Sequence, residues 1–88
     1  MANMSGMDIQ AVQNLATQMK TKAGEIQQIM ATLTSQLQSA PWVGADQQRF
    51  LSEWQGQHCT ALRNVATGLE QASQLAARNA QEQTSASA

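Results

Sequence analysis

Pro41 is the only proline in a chain of 88 residues, and it falls between two long apolar patterns of helical period. A proline disfavours α geometry in the residue before it, so a helix starting at Asp8 ends near Ser39-Ala40. Along it Ile9, Val12, Leu15, Met19, Ala23, Ile26, Met30, Leu33 and Leu37 recur at three- and four-residue steps, and Ile29 lies one position off the stripe. After Gly44 the pattern restarts through Phe50, Leu51, Trp54, His58, Leu62, Val65, Leu69, Ala72, Leu75 and Ala76. The first helix, about 32 residues long, reaches roughly 48 Å at 1.5 Å per residue. Two such helices joined through Pro41-Trp42-Val43-Gly44 must fold back on each other as an antiparallel hairpin.

The expected organisation is a flexible N-terminus at 1–7, one helical-hairpin domain at 8–80, and a disordered tail at 81–88. Within the domain, helix 8–40 leads through the turn 41–44 into helix 45–80. The tail Gln-Glu-Gln-Thr-Ser-Ala-Ser-Ala carries no apolar periodicity. Ser5-Gly6-Met7-Asp8 has capping-box spacing, with Asp8 as the alternative cap. Asp46 sets a negative charge in the first turn of the second helix, where the helix dipole favours it. Gln is as abundant as Ala, tyrosine is absent and β-branched runs are missing, so intrinsic propensity also points to an all-α chain. Gly24, Gly56 and Gly68 each cost a helix interior roughly 1 kcal/mol relative to alanine, and they are expected to be tolerated either for close backbone contact or by the length of the helix.

Both apolar stripes are wider than one helix–helix seam. The seam residues are Val12, Leu15, Met19, Ile26 and Leu33 on the first helix and Phe50, Trp54, His58, Leu62, Val65 and Leu69 on the second. Such width needs a second surface. The economical solution is another hairpin, so that the antiparallel helix-turn-helix unit dimerises into a four-helix bundle.

Charge and chemistry exclude several functions. Five basic residues oppose six acidic ones; Lys20, Lys22, Arg49, Arg63 and Arg78 are scattered, so no phosphate-binding footprint forms and no nucleic acid partner is expected. The same deficit argues against binding to anionic lipid, and no apolar stretch approaches the ~20 residues of a membrane span. Metal binding needs converging ligands, and His58-Cys59 has no second pair at ligand spacing. Adjacent helix positions point about 100° apart, so these two do not form a catalytic pair either. No phosphate loop or nucleophile motif is present. The chain is read as a non-enzyme without metal or cofactor. His58 is either a partly buried seam residue or a dimer contact weakened by protonation near pH 6. Cys59, the lone cysteine, is a small half-buried hydrophobe or, in an oxidising setting, a cross-link between chains; its sequence does not assign it a role.

The turn is the remaining signal. A turn between helices offers an indole little apolar surface, so Trp42 needs a hydrophobic surface at the bundle end or in a partner. The W-x-G step Trp42-Val43-Gly44 lies mid-chain, flanked by heptads, and five residues separate Gly44 from Phe50. In these features the chain, from Asp8 to about Glu82, resembles the WXG family of ESAT-like type VII secretion substrates.

The resemblance implies a small protein made in the bacterial cytoplasm and secreted without a cleavable signal peptide. Met1-Ala2-Asn3-Met4-Ser5-Gly6 indeed has neither a basic nor an apolar leader region. It implies export as a folded homodimer, or as a heterodimer with a second W-x-G protein, by a membrane-bound secretion ATPase. Trp42 and Gly44 match the family turn, which acts with a partner's tail motif Tyr-x-x-x-Asp/Glu as a composite signal. Here Glu82 matches the acid, but Arg78 stands where the tyrosine should be. A partner supplying that tyrosine is one expectation, and a homodimer recognised by other features is the other. Effector, chaperone and machine component all remain open, as does a cytoplasmic coiled-coil adaptor or chaperone outside secretion.

Overall fold

A computed structural model describes residues 6–87, and the chain is all-α. Helix α1 spans Ile9–Ser39 and α2 spans Ala45–Glu53; a π-helical turn at Trp54–His58 leads without a break into α3, Cys59–Ser87. The expectations for Met1–Ser5, including the Ser5 cap, and for Ala88 lie outside the described residues.

Asp8 caps α1: its carboxylate accepts from the Ala11 amide at 3.0 Å, which satisfies one of the free donors of the first turn. At the other end Ala40 turns extended, with ψ 142, as the residue before a proline should. The chain then folds back. Ser73 Oγ donates to Ala16 O at 2.6 Å and Trp54 Nε1 donates to Thr34 Oγ1 at 2.8 Å. As one partner number rises the other falls, so α1 and α3 lie antiparallel in a hairpin-like rod of 64 × 17 × 15 Å.

The contact between the two helices is made by small side chains. Ala16, Ala23, Cys59, Ala66, Ser73 and Ala80 are buried, and no large side chain is fully buried among the described residues. On α3 the buried positions recur every seven residues, the repeat of a helix that keeps one line against a neighbour. Small side chains let the helices approach until the short Ser73 side chain reaches the opposite backbone. Val12, Met19, Ile26, Met30, Leu62 and Leu69 flank this line and are half-buried.

Leu15 and Leu33 of the expected seam are exposed on α1, as is Phe50 on α2. Beyond Trp54 the structure departs from the expected seam again, and there the π turn is the cause. The Cys59 amide donates to Trp54 O, five residues back, so the helix carries one residue more than α geometry allows. Downstream of it Cys59 follows Trp54 onto the seam in place of His58. Ala66 and Ser73 take the line that an unbroken helix would give to Val65 and Ala72. His58 is therefore exposed rather than partly buried between Trp54 and Leu62, and Val65 is 53% exposed. Thr60 Oγ1 donates to Gly56 O at 2.9 Å inside the widened region, a side-chain bond to the backbone of the kind that competes with regular helix.

A second difference is the C-terminal end. The helix continues to Ser87 instead of stopping at residue 80, and Thr84 Oγ1 donates to Ala80 O at 3.0 Å. Extending an existing helix adds one hydrogen bond per residue fixed and needs no apolar periodicity. The glycines differ too: a Cβ added at Gly24, Gly56 or Gly68 would meet nothing within 4 Å, so close contact inside the chain is not their reason.

Because the π turn holds a single extra residue, removing Gln57 should restore continuous α-helix while both flanks keep their phase. We expect that deletion to leave thermal stability unchanged or raised. Deleting Thr67 instead rotates everything after it by about 100° and brings Gln74 and Gln81 to the positions of Ser73 and Ala80. That variant should lose at least about 1–3 kcal/mol for each amide buried without a partner. Circular dichroism melts of the two deletions check the contrast.

Candidate interaction site at the turn

The residues between the helices form a compact end to the rod. The Trp42 amide donates to Ala40 O at 2.7 Å, and Gln48 N donates to Gly44 O at 3.2 Å as α2 begins. Gln47 Nε2 reaches Leu37 O at 3.4 Å, which ties the first turn of α2 to a carbonyl at the end of α1. Gly44 has φ 125 and ψ −174, a backbone region open in practice to glycine alone. The third position of the W-x-G step is thus fixed by backbone geometry, not by space.

That backbone aims two rings at each other. Trp42 and Phe50 have centroids 5.6 Å apart at an interplanar angle of 52°, within the range of favourable tilted aromatic pairs. The pair does not bury either ring: Trp42 remains 42% exposed, Phe50 45% and Val43 95%. An apolar patch therefore caps one end of the molecule and faces outward. Trp54 behaves differently. Its indole N–H donates to Thr34 Oγ1, which itself donates to Met30 O at 2.8 Å, so this ring clamps the π turn onto α1. Its ring also lies 6.1 Å from that of His58.

The remaining sequence-derived positions divide by side. Val12, Met19, Ile26, Trp54, Leu62 and Leu69 are half-buried beside the seam, while Leu15, Leu33, Phe50, Val65 and His58 are exposed in the single chain. Arg78 and Glu82 are exposed near the far end of α3. The opposite flank of the seam is polar, with a shallow groove of about 450 Å³ lined in part by Thr34, Ser35, Gln38, Gln55 and Arg63. Cys59 sits at its base, buried and unpaired with another cysteine. Covered in this way, its thiol reaches a second chain only if the helices part. Sequence reading placed Ala23 on the first stripe but missed Ala16 and the Ala66-Ser73-Ala80 line, although the seven-residue spacing of the small residues was there to find.

Among the described residues no three His, Cys, Asp or Glu side chains converge as metal ligands. No helix among the described residues is long and apolar enough to cross a membrane. The ion pair Lys22–Glu25, at 3.1 Å, is exposed and lies away from the turn. Comparison with known proteins finds no matching family model, no matching curated protein and no matching solved structure.

Because a Cβ at Gly44 would meet nothing, Gly44→Ala isolates the backbone term. It should destabilise the fold by about 1–3 kcal/mol, read as a lower unfolding midpoint. D-alanine at the same position, introduced by chemical synthesis, has its ordinary extended conformation at this φ and ψ and should recover that loss.

Proposed function

We propose that this chain is a small helical-hairpin protein of a type VII secretion system, exported as a folded dimer and acting through protein–protein contacts. The observation that carries the reading is the outward-facing Trp42 against Phe50 at the tip, on a turn whose Gly44 cannot be replaced without strain. A ring pair of this kind left half-open at the end of a rod suits recognition by another protein better than closure of a core. The spacing of Trp42, Gly44 and Phe50 is also that of the WXG family.

The proposed assembly is a four-helix bundle of two such hairpins, from two copies or from this chain and a second W-x-G protein. In one chain the turn and the Arg78–Glu82 segment lie at opposite ends of the rod. An antiparallel partner would bring its tail beside this chain's Trp42, which is the arrangement a composite export signal requires. The membrane-bound secretion ATPase is then the partner that reads it. Since Arg78 replaces the tyrosine of that signal, Trp42 and Gly44 supply the recognisable half.

Two measurements test the reading. Immunodetection should find the protein in culture supernatant, and deletion of the secretion ATPase should abolish that signal. A protein confined to cell lysates, or present in the supernatant without the ATPase, instead supports an adaptor outside secretion. Trp42→Ala should cost about 1 kcal/mol through the lost contact with Phe50 and leave the helices folded, yet block export. Loss of helical circular dichroism in that variant would make Trp42 a structural plug.

A further inference from the structure

We propose that a second copy of this chain seats on the apolar side of the rod, with the two α3 helices in closest approach at Gly68. The proposal rests on the dimeric reading above and adds where and with what the contact is made.

Gly68 is the starting observation. It weakens the interior of α3, and within the chain nothing approaches the place a Cβ would occupy. On the helix it shares a side with Ala61, Val65, Ala72 and Leu75, at steps of three, four and seven residues, with exposed Asn64 and Gln71 along its other edge. Val65 and Leu75 on that side are 53% and 52% exposed. The charged residues in the same stretch face elsewhere: Arg63 and Glu70 line the grooves on the polar flank. Gly24 is the useful contrast, because it follows Lys20 and Thr21 on the polar flank, at four and three residues.

The occupant follows from area and charge. α1 adds exposed Leu15, Ile29 and Leu33 to the apolar side, across the helix from groove-lining Gln13, Thr17 and Ser35. One side of a 64 × 17 Å rod offers about 1,000 Å², more than the roughly 800 Å² per partner of a standard interface. The whole chain exposes 6330 Å², against about 5,000 Å² for a compact monomer of this mass. A two-fold contact sets each patch against itself. The α3 part of the patch, Ala61, Val65, Gly68, Ala72 and Leu75, carries no charge, so its self-pairing buries no ion. On α1 Lys22, seven residues from both Leu15 and Ile29, lies along the same side and keeps its ammonium at the exposed rim, paired with Glu25. A glycine flanked by alanines allows the two helix backbones to come near at the crossing.

Sedimentation of the purified full chain across concentrations, with thermal melts, tests this. The wild type should dimerise unaided. Gly24→Ala should melt higher, as an exposed helix glycine replaced by alanine does, with the dimer dissociation constant changed less than twofold. Gly68→Leu should raise that constant at least tenfold while keeping helical circular dichroism. Gly68→Ala, which has nothing to collide with inside its own chain, should raise it measurably as well. A dimer of wild-type affinity in both Gly68 variants overturns the crossing point and leaves the dimer standing. A wild-type chain that stays monomeric at tens of micromolar overturns the second copy as occupant, and with it the homodimer form of the dimeric reading.

Discussion

The line of small side chains between α1 and α3 is the constraint from which the rest of the molecule follows. Ala16, Ala23, Cys59, Ala66, Ser73 and Ala80 leave the helices nearly in contact, and nothing larger fits between them. Among the described residues the bulky apolar side chains of both helices are consequently half-buried along the edges of this line or left outside. This explains why, among the described residues, none of the leucine, isoleucine, methionine and valine side chains on the stripes is completely buried. It also explains the imbalance between flanks: polar grooves on one side, and Leu15, Ile29, Val65 and Leu75 exposed elsewhere. A tightly closed seam and an open apolar side are one design seen from two directions.

Much of this was readable in the chain and some was not, for identifiable reasons. The helical periods on both sides of Pro41 and the break itself rest on local rules, so α1 and the turn fall near their expected places. Asp8 as a cap, Asp46 in the first turn of α2 and the extended Ala40 are of the same local kind. The π turn was invisible because its only trace is a phase change. Trp54, His58, Leu62 and Val65 make a regular stripe on paper, and Trp54, Cys59, Leu62 and Ala66 make another only if one residue is skipped. At Val65 hydropathy favours the first, since valine is more apolar than the alanine beside it, while at His58 only the regular four-residue step from Trp54 favours it, because Cys59 is the more apolar neighbour. Contact geometry chooses the second, because alanine and cysteine fit a narrow gap where valine does not.

The two tryptophans divide what a single aromatic could not do alone. Trp54 is committed to the fold through the bonded series from its indole to Thr34 and on to the Met30 carbonyl. Trp42 has only Phe50 against it and much of its ring in solvent. The sequence marked Trp42 as out of place and read Trp54 simply as part of a stripe. What separated them was the partner each one finds, and a hydroxyl twenty residues away is not something periodicity can report.

The π turn has one more consequence, for orientation. It joins the segment bearing Phe50 to the long helix that lies against α1, and a single residue's worth of winding separates their two phases. Were those five residues to tighten into α geometry with none removed, α2 would swing about 100° around its axis relative to α3. The aromatic tip would then look out over a different side of the rod. Trp54–His58 is thus the setting that fixes the compass bearing of the tip, independent of how firmly either helix is held.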